Sequence, residues 1–280
     1  MRNKVIYDTQ IVSNAAAGRV PKGDWETVSK FISAKCRYCV SLNTLYELLA
    51  GLAGGDDAHF EENRYRLRLL CPPFRKVFLP LVGDFVRQCV FKKPLRRDDF
   101  SPQKIQGWMD IILSAKNKNE LTAGLVEVNR PSRNAKTWGI DLDLILRQLK
   151  SGKEQHAQVL ESLRRGVVRR STPETWAGGV LRTAGISITP ENAKKVLTVL
   201  DAVYRYDTFL WDLAEKQKYD FSQHDSDWLD SQQLYYLADP NVILVTSDRN
   251  LKHRTNASTQ QNRIVTFDEF LGWAKRGHHS

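Results

Sequence analysis

Four carboxylates occupy the positions of this sequence best suited to chemistry: Asp8, Glu47, Asp230 and Asp248. Asp8 closes the run Lys4-Val5-Ile6-Tyr7, and Glu47 lies within Leu45-Tyr46-Glu47-Leu48-Leu49. Asp230 opens a stretch ending at Leu237-Ala238, and Asp248 follows Val242-Ile243-Leu244-Val245-Thr246-Ser247. Four such groups side by side cannot all ionise without a counter-charge, because each negative charge disfavours the next. Oxygen donors with no His or Cys in the pattern favour a hard divalent cation, Mg²⁺ or Mn²⁺, over Zn²⁺. Asp227, three residues before Asp230, is an alternative third ligand, and Asp225 adds to that ambiguity. A single Asp at a strand end also serves as a turn or cap residue, so the metal reading needs all four acids to converge.

The elements that would bring them together are α/β in character. Lys4 to Tyr7 and Arg37 to Ser41 read as strands, with helical character over Thr27 to Ala34 between them. Leu45, Leu48, Leu49 and Leu52 recur at helical spacing behind a capping Ser41 or Asn43, and Gly54-Gly55 ends that helix. Near the other end, Asp230 to Leu237 reads as a helix and Val242 to Thr246 as a buried parallel strand. Ile264 to Thr266 is a short final strand before a closing helix over Asp268 to Ala274. Pro190 starts a helical stretch that runs to about Tyr219. In an open parallel sheet, ligands gather beyond the carboxyl ends of the strands where strand order reverses. Asp8 and Asp248 lie at such ends, and Glu47, one turn into the helix after the second strand, reaches back over the same edge.

The middle of the chain differs. Ile105 to Ser114, Leu142 to Leu149 and Gln155 to Val167 have helical spacing, and strand-like runs are scarce. The expected architecture is therefore a three-layer α/β/α domain with a central parallel sheet, built from residues 1–60 and 200–280. A basic, mainly helical insertion over 61–199 interrupts it.

The 280 residues carry a net charge of +10, unevenly spread. Residues 61–200 hold 26 Lys and Arg against 14 Asp and Glu, a net of +12, while the remainder is slightly acidic at −2. A basic surface beside an acidic edge suits a polyanion, which the acids alone would repel. Candidate substrate contacts are Lys92, Lys93, Arg96, Arg97, Arg164 and Arg165 in the basic middle. Arg64, Arg66 and Arg68 form a further basic cluster there, and Arg249, Lys252, His253 and Arg254 follow Asp248 directly. Trp108, Trp138 and Trp176 are candidates for base stacking, although at helical spacing such residues are more often core.

Other classes are excluded on composition. The longest apolar runs fall far short of the ~20 residues of a membrane span, and no secretory signal is evident, so a cytoplasmic location is expected. Cys36-x-x-Cys39 invites a zinc reading. However, residues three apart on a strand point to opposite faces, so buried free thiols are expected at all four cysteines.

Taken together, Val5-Ile6-Tyr7-Asp8-Thr9, Ser41…Leu45-Tyr46-Glu47-Leu48-Leu49, Asp230…Leu237-Ala238 and Leu244-Val245-Thr246-Ser247-Asp248 resemble a PIN domain. This is the nuclease fold of many bacterial and archaeal ribonuclease toxins and of eukaryotic RNA-decay enzymes. The 18 residues from Asp230 to Asp248 are similar to the family's spacing of third and fourth acids. Ile264-Val265-Thr266 and Glu269-Phe270-Leu271 resemble its last strand and helix. The resemblance covers about 1–55 and 200–274. Gln10 departs from it, standing where the family has a smaller polar residue.

The resemblance implies metal-dependent phosphodiester hydrolysis, with Asp8, Glu47, Asp230 and Asp248 holding Mg²⁺ or Mn²⁺ and Thr9 and Thr246 orienting ligands or water. It implies an endoribonuclease of toxin or defence type, with an inhibitory protein partner or self-association as further expectations. Alternatives are a structure-directed DNA nuclease and an RNA- or partner-binding module with a degenerate site.

Overall fold

The computed structural model describes residues 2–54, 57–72, 76–95, 102–128, 142–220 and 226–277. Five parallel strands, β1 (Lys4–Tyr7), β2 (Arg37–Ser41), β3 (Lys76–Leu79), β4 (Val242–Thr246) and β5 (Ile264–Thr266), form one sheet in the order β3-β2-β1-β4-β5. Val5 pairs with Tyr38 on one side and Ile243 on the other, which puts β1 at the centre. A central parallel strand is covered on both faces, so its sequence is continuously apolar rather than alternating. All five residues of β4 are buried. Val5, Tyr7, Tyr38, Val40 and Val245 face one core, and Ile6, Cys39, Leu79, Leu244 and Ile264 face the other.

The first core is closed by α1 (Thr9–Ala16), α2 (Lys22–Lys35), α3 (Leu42–Gly54) and α4 (Asp57–Leu70). On the opposite face, α5 (Val82–Phe91) follows β3. The next two helices, α6 (Pro102–Ser114) and α7 (Lys118–Val128), add Trp108, Ile112 and Leu121 to the first core. Leu160 and Leu163 of the long α8 (Leu142–Arg164) pack in the second core, together with α9 (Pro173–Thr183), α10 (Pro190–Val199) and α11 (Asp201–Glu215). The chain then forms α12 (Asp227–Leu234), a 3₁₀ turn over Tyr235–Ala238, β4, α13 (Arg249–Arg254), β5 and α14 (Phe267–Arg276).

Four boundaries differ from the sequence reading. Lys76–Leu79, within the segment expected to be helical, is the edge strand β3 paired with β2. The two helical segments over 142–149 and 155–167 are one helix, α8. The stretch from Pro190 to Tyr219 is two helices meeting at Leu200, whose φ of −113° and ψ of 30° leave the helical region. Gln260 stabilises that break from 58 residues away: its Oε1 accepts the Ala202 N–H at 2.8 Å, and its Nε2 donates to the Val199 carbonyl at 3.2 Å. The helix before β4 begins at Asp227, not Asp230. All four cysteines are free thiols, and no described helix is long and apolar enough to cross a membrane.

Candidate functional site

Strand order reverses between β1 and β4, and the chain leaves both strands toward the same edge. The Asp8 N–H extends the ladder by donating to the Val245 carbonyl at 3.1 Å, so Asp8 stands at the end of the central strand. Its Oδ1 then caps α1 by accepting the Ile11 N–H at 2.8 Å. Asp248 acts likewise after β4: its Oδ1 accepts the Asn250 N–H at 2.7 Å, and its own N–H donates to Thr246 Oγ1 at 2.9 Å. An Asp at such a position satisfies an orphan helix donor, and that requirement alone explains part of the strand-end acid pattern.

Glu47 reaches the same edge from α3, where the Thr9 hydroxyl donates to its Oε2. Asp230 arrives from α12. Buried polar contacts join α12 to α3 and to the end of β2: Gln233 Nε2 donates to Thr44 Oγ1, and the Ser41 hydroxyl donates to Gln233 Oε1 at 3.1 Å. Thr44 Oγ1 in turn donates to the Tyr7 carbonyl at 3.3 Å, which ties both helices to the end of β1.

Asp8, Glu47, Asp230 and Asp248 line a single cavity of about 590 Å³. Their charges act on one another. Burial pushes the Asp8 carboxyl up to about 6, with Glu47 and Asp248 adding to the rise and hydrogen bonds from Thr246 and Ile11 opposing it. Burial pushes Asp230 further, to about 8, and the charges of Asp8, Asp227, Asp248 and Glu47 all contribute. Burial is the larger cause for both, and the neighbouring carboxylates add to it. The gathering is open rather than closed: among the described residues, no group of three or more His, Cys, Asp or Glu is arranged to hold a metal ion as it stands.

No protein-family model, curated protein or solved structure matches this chain. Its functional reading therefore rests on the site itself.

Asp227 does not line the acidic cavity, although its charge acts on Asp230. It is buried, and its carboxylate is held by Arg254 at 2.7 Å and by the Tyr206 and Tyr219 hydroxyls at 3.1 Å each. Arg254, expected to meet substrate phosphate, is committed to that buried pair. Lys252 pairs with Glu269, while Arg249 and His253 are exposed beside Asp248. Thr9 lines the cavity and Thr246 lies buried beneath it.

The basic middle lies elsewhere. Lys92 lines a different cavity with Lys4, Arg37 and Asn241, at the amino ends of the strands, and Lys93 is its exposed neighbour. Arg164 and Arg165 are exposed and both pair with Glu161. Trp108 and Trp176 are mostly buried core residues. Arg96, Arg97, Trp138 and Asp225 lie outside the described residues.

Two cations that the sequence reading did not assign to the site do line the acidic cavity: Arg19, in the turn after α1, and Arg66, on α4. Arg19 donates to Asn14 at 3.3 Å, while Arg66 donates to Asn63 at 3.1 Å and is ion-paired with Glu62 one turn back on α4; both asparagines are cavity residues too. Arg66 had a signal, as the middle member of the Arg64, Arg66, Arg68 cluster. Arg19 had none, because a lone Arg beside Gly18 looks like any solvated turn residue.

Proposed function

We propose that this chain is a metal-dependent phosphodiesterase with a PIN-like nuclease domain, acting as an endoribonuclease. The observation that carries the reading is the convergence of Asp8, Glu47, Asp230 and Asp248 on one cavity at the switch point of a parallel sheet. In this proposal the nuclease domain comprises residues 1–60 and 200–280 with β3 at its sheet edge, and the rest of 61–199 is the basic helical insertion.

The donor set fits Mg²⁺ or Mn²⁺ in kind: hard carboxylate oxygens, mutually repelling, in a cavity open to solvent. Asp8, Glu47, Asp230 and Asp248 would be the residues to hold the ion. A bound ion of this kind supplies a water of lowered pKa and neutralises charge building on the phosphate. The chain's own residues do the positioning. Thr9 orients the Glu47 carboxylate, and Thr246 fixes the turn that aims Asp248. Arg19 offers a guanidinium group to phosphates entering the cavity, and Arg66 adds a second that it shares with Glu62.

Asp8→Asn and Asp248→Asn should each abolish Mn²⁺-dependent cleavage of single-stranded or structured RNA while the circular dichroism spectrum stays that of wild type. Undiminished cutting by either purified variant would refute the assignment. DNA of the same sequence, assayed in parallel, separates the ribonuclease from a structure-directed DNA nuclease. The open arrangement of the acids favours one rival, an RNA-binding module with a degenerate site; it would bind RNA without metal-dependent turnover.

A further inference from the structure

A second cavity, of about 470 Å³, lies directly behind the acidic one, and the same two helices form the wall between them. On α12, Leu229, Asp230 and Gln233 face the acids, whereas Trp228 and Gln232 face the second cavity. On α3, Glu47 and Gly51 line the first cavity, and Asn43 and Tyr46 line the second.

The chemistry of the second cavity is unlike that of the first. Among the described residues, none that lines it is an Asp, Glu, Lys, Arg or His. Four aromatic side chains, Tyr46, Trp176, Trp228 and Tyr235, give it broad apolar surfaces. Trp228 is pressed from behind by α8: a Cβ on Gly152 would overlap the indole ring. The Trp176 indole N–H is already given to Asp207 at 2.8 Å, so this ring offers its surface rather than a donor.

Polar groups are carboxamides and hydroxyls. Gln148 and Gln232 line the cavity with Asn43. The Asn43 side chain is buried, and its Nδ2 has no hydrogen-bond partner in the structure. A buried amide donor left unmade is costly, and at the wall of a cavity it is a donor waiting for an acceptor.

A ligand matching these walls is flat, uncharged and rich in hydrogen-bonding edges. Phosphate is disfavoured, because no described lining residue neutralises it. We infer that the second cavity is a nucleobase pocket, taking one unstacked base of a single-stranded nucleic acid whose phosphates run over the α3–α12 wall into the acidic cavity. Stacking against aromatic rings is tolerant of base identity, while the carboxamides read the polar edge, as Asn and Gln do elsewhere. The inference deepens the nuclease reading and rests on it for the source of the base, but the pocket can be tested without catalysis.

The test is calorimetric titration of the full chain with each of the four free ribonucleosides in metal-free buffer. Saturable binding of at least one nucleoside is expected, unchanged in Asp248→Asn. It should weaken by about tenfold or more when the pocket is blocked by Thr183→Trp, an exposed lining position, or when the donor is removed by Asn43→Leu. Thr183→Trp keeps the test valid if Asn43→Leu fails to fold. Absence of saturation by all four nucleosides would overturn the inference. So would equal affinity in Thr183→Trp, or binding that appears only with mononucleotides and survives the blocking substitution, since that would report phosphate held elsewhere. Loss of cleavage in Asp248→Asn bears on the nuclease reading alone, so the two can fail separately.

Discussion

Arg254 Nη1 lies 2.7 Å from Asp227 Oδ1, and the two side chains are only 8% and 3% exposed. The pair joins α13, which Asp248 caps, to α12, which carries Asp230. The guanidinium also lies over the Tyr206 and Phe209 rings of α11, at 5.8 and 5.6 Å from their centroids. Three helices behind the acidic cavity are thus held by one cation. Asp227, the alternative ligand by sequence, is spent on holding its neighbours in place.

Arg254→Met should therefore destabilise the fold strongly, because it leaves a buried carboxylate without its partner. A loss of about 3 kcal/mol is expected in urea unfolding. The comparison is Lys252→Ala, which removes a partly exposed pair with Glu269 and should cost less than about 1 kcal/mol. Equal, small losses in both variants would contradict the anchoring role.

Asp230 gives a pH dependence of definite sign. Its carboxyl is raised from 3.8 to about 8 in the folded chain, and that of Asp8 to about 6. A raised folded value means that the native state binds the proton more tightly than the unfolded chain does. The associated stability is fully present below pH 4 and is lost as pH rises through about 6 for Asp8 and about 8 for Asp230. In metal-free buffer, wild-type stability should fall across this window, other groups being equal. Asp230→Asn should flatten the fall and be more stable than wild type at pH 8.5, by on the order of 2 kcal/mol. A variant that is less stable than wild type there would show that the Asp230 carboxyl is not held above its ordinary value in the folded chain.

Arg19 should act on binding rather than on folding, and so should Arg66, whose pair with Glu62 is partly exposed and contributes little to stability. Arg19→Ala and Arg66→Ala should each raise KM for RNA several-fold and reduce the salt slope of binding by about 0.7 for each phosphate no longer neutralised. Lys92→Ala, at the opposite edge of the sheet, is the control expected to leave both unchanged. An effect at Lys92 matching that at Arg66 would place the RNA path across the other face.

Much of the frame was legible because it depends on local chemistry. The β-branched and aromatic runs of β1, β2 and β4 predict strands wherever they pack, and the leucine spacing of α3 predicts a helix. Lys76–Leu79 escaped notice because four residues beside Pro72-Pro73 carry little periodicity, and its pairing with β2 stabilises it as a strand. The break at Leu200 escaped for a related reason: the group that caps it, Gln260, is remote in sequence.

Residue types and their spacing were enough to show which side chains could serve: acids at the ends of β1 and β4, an acid one turn into α3, and two more three residues apart in α12. Which of them do serve depends on packing between distant segments. Asp230 is favoured by its spacing from Asp248, yet Asp227, one turn away on the same helix, stays an alternative on sequence alone. Tyr206, Tyr219 and Arg254 close around Asp227, whereas Asp230 is left among the other carboxylates. The same holds for the cations: Arg254 is drawn inward by its partner, while Arg19 and Arg66 come to line the cavity through the packing of α1 and α4. Charge and helix spacing are properties of a segment, but a side chain's partner depends on what the rest of the chain packs against it.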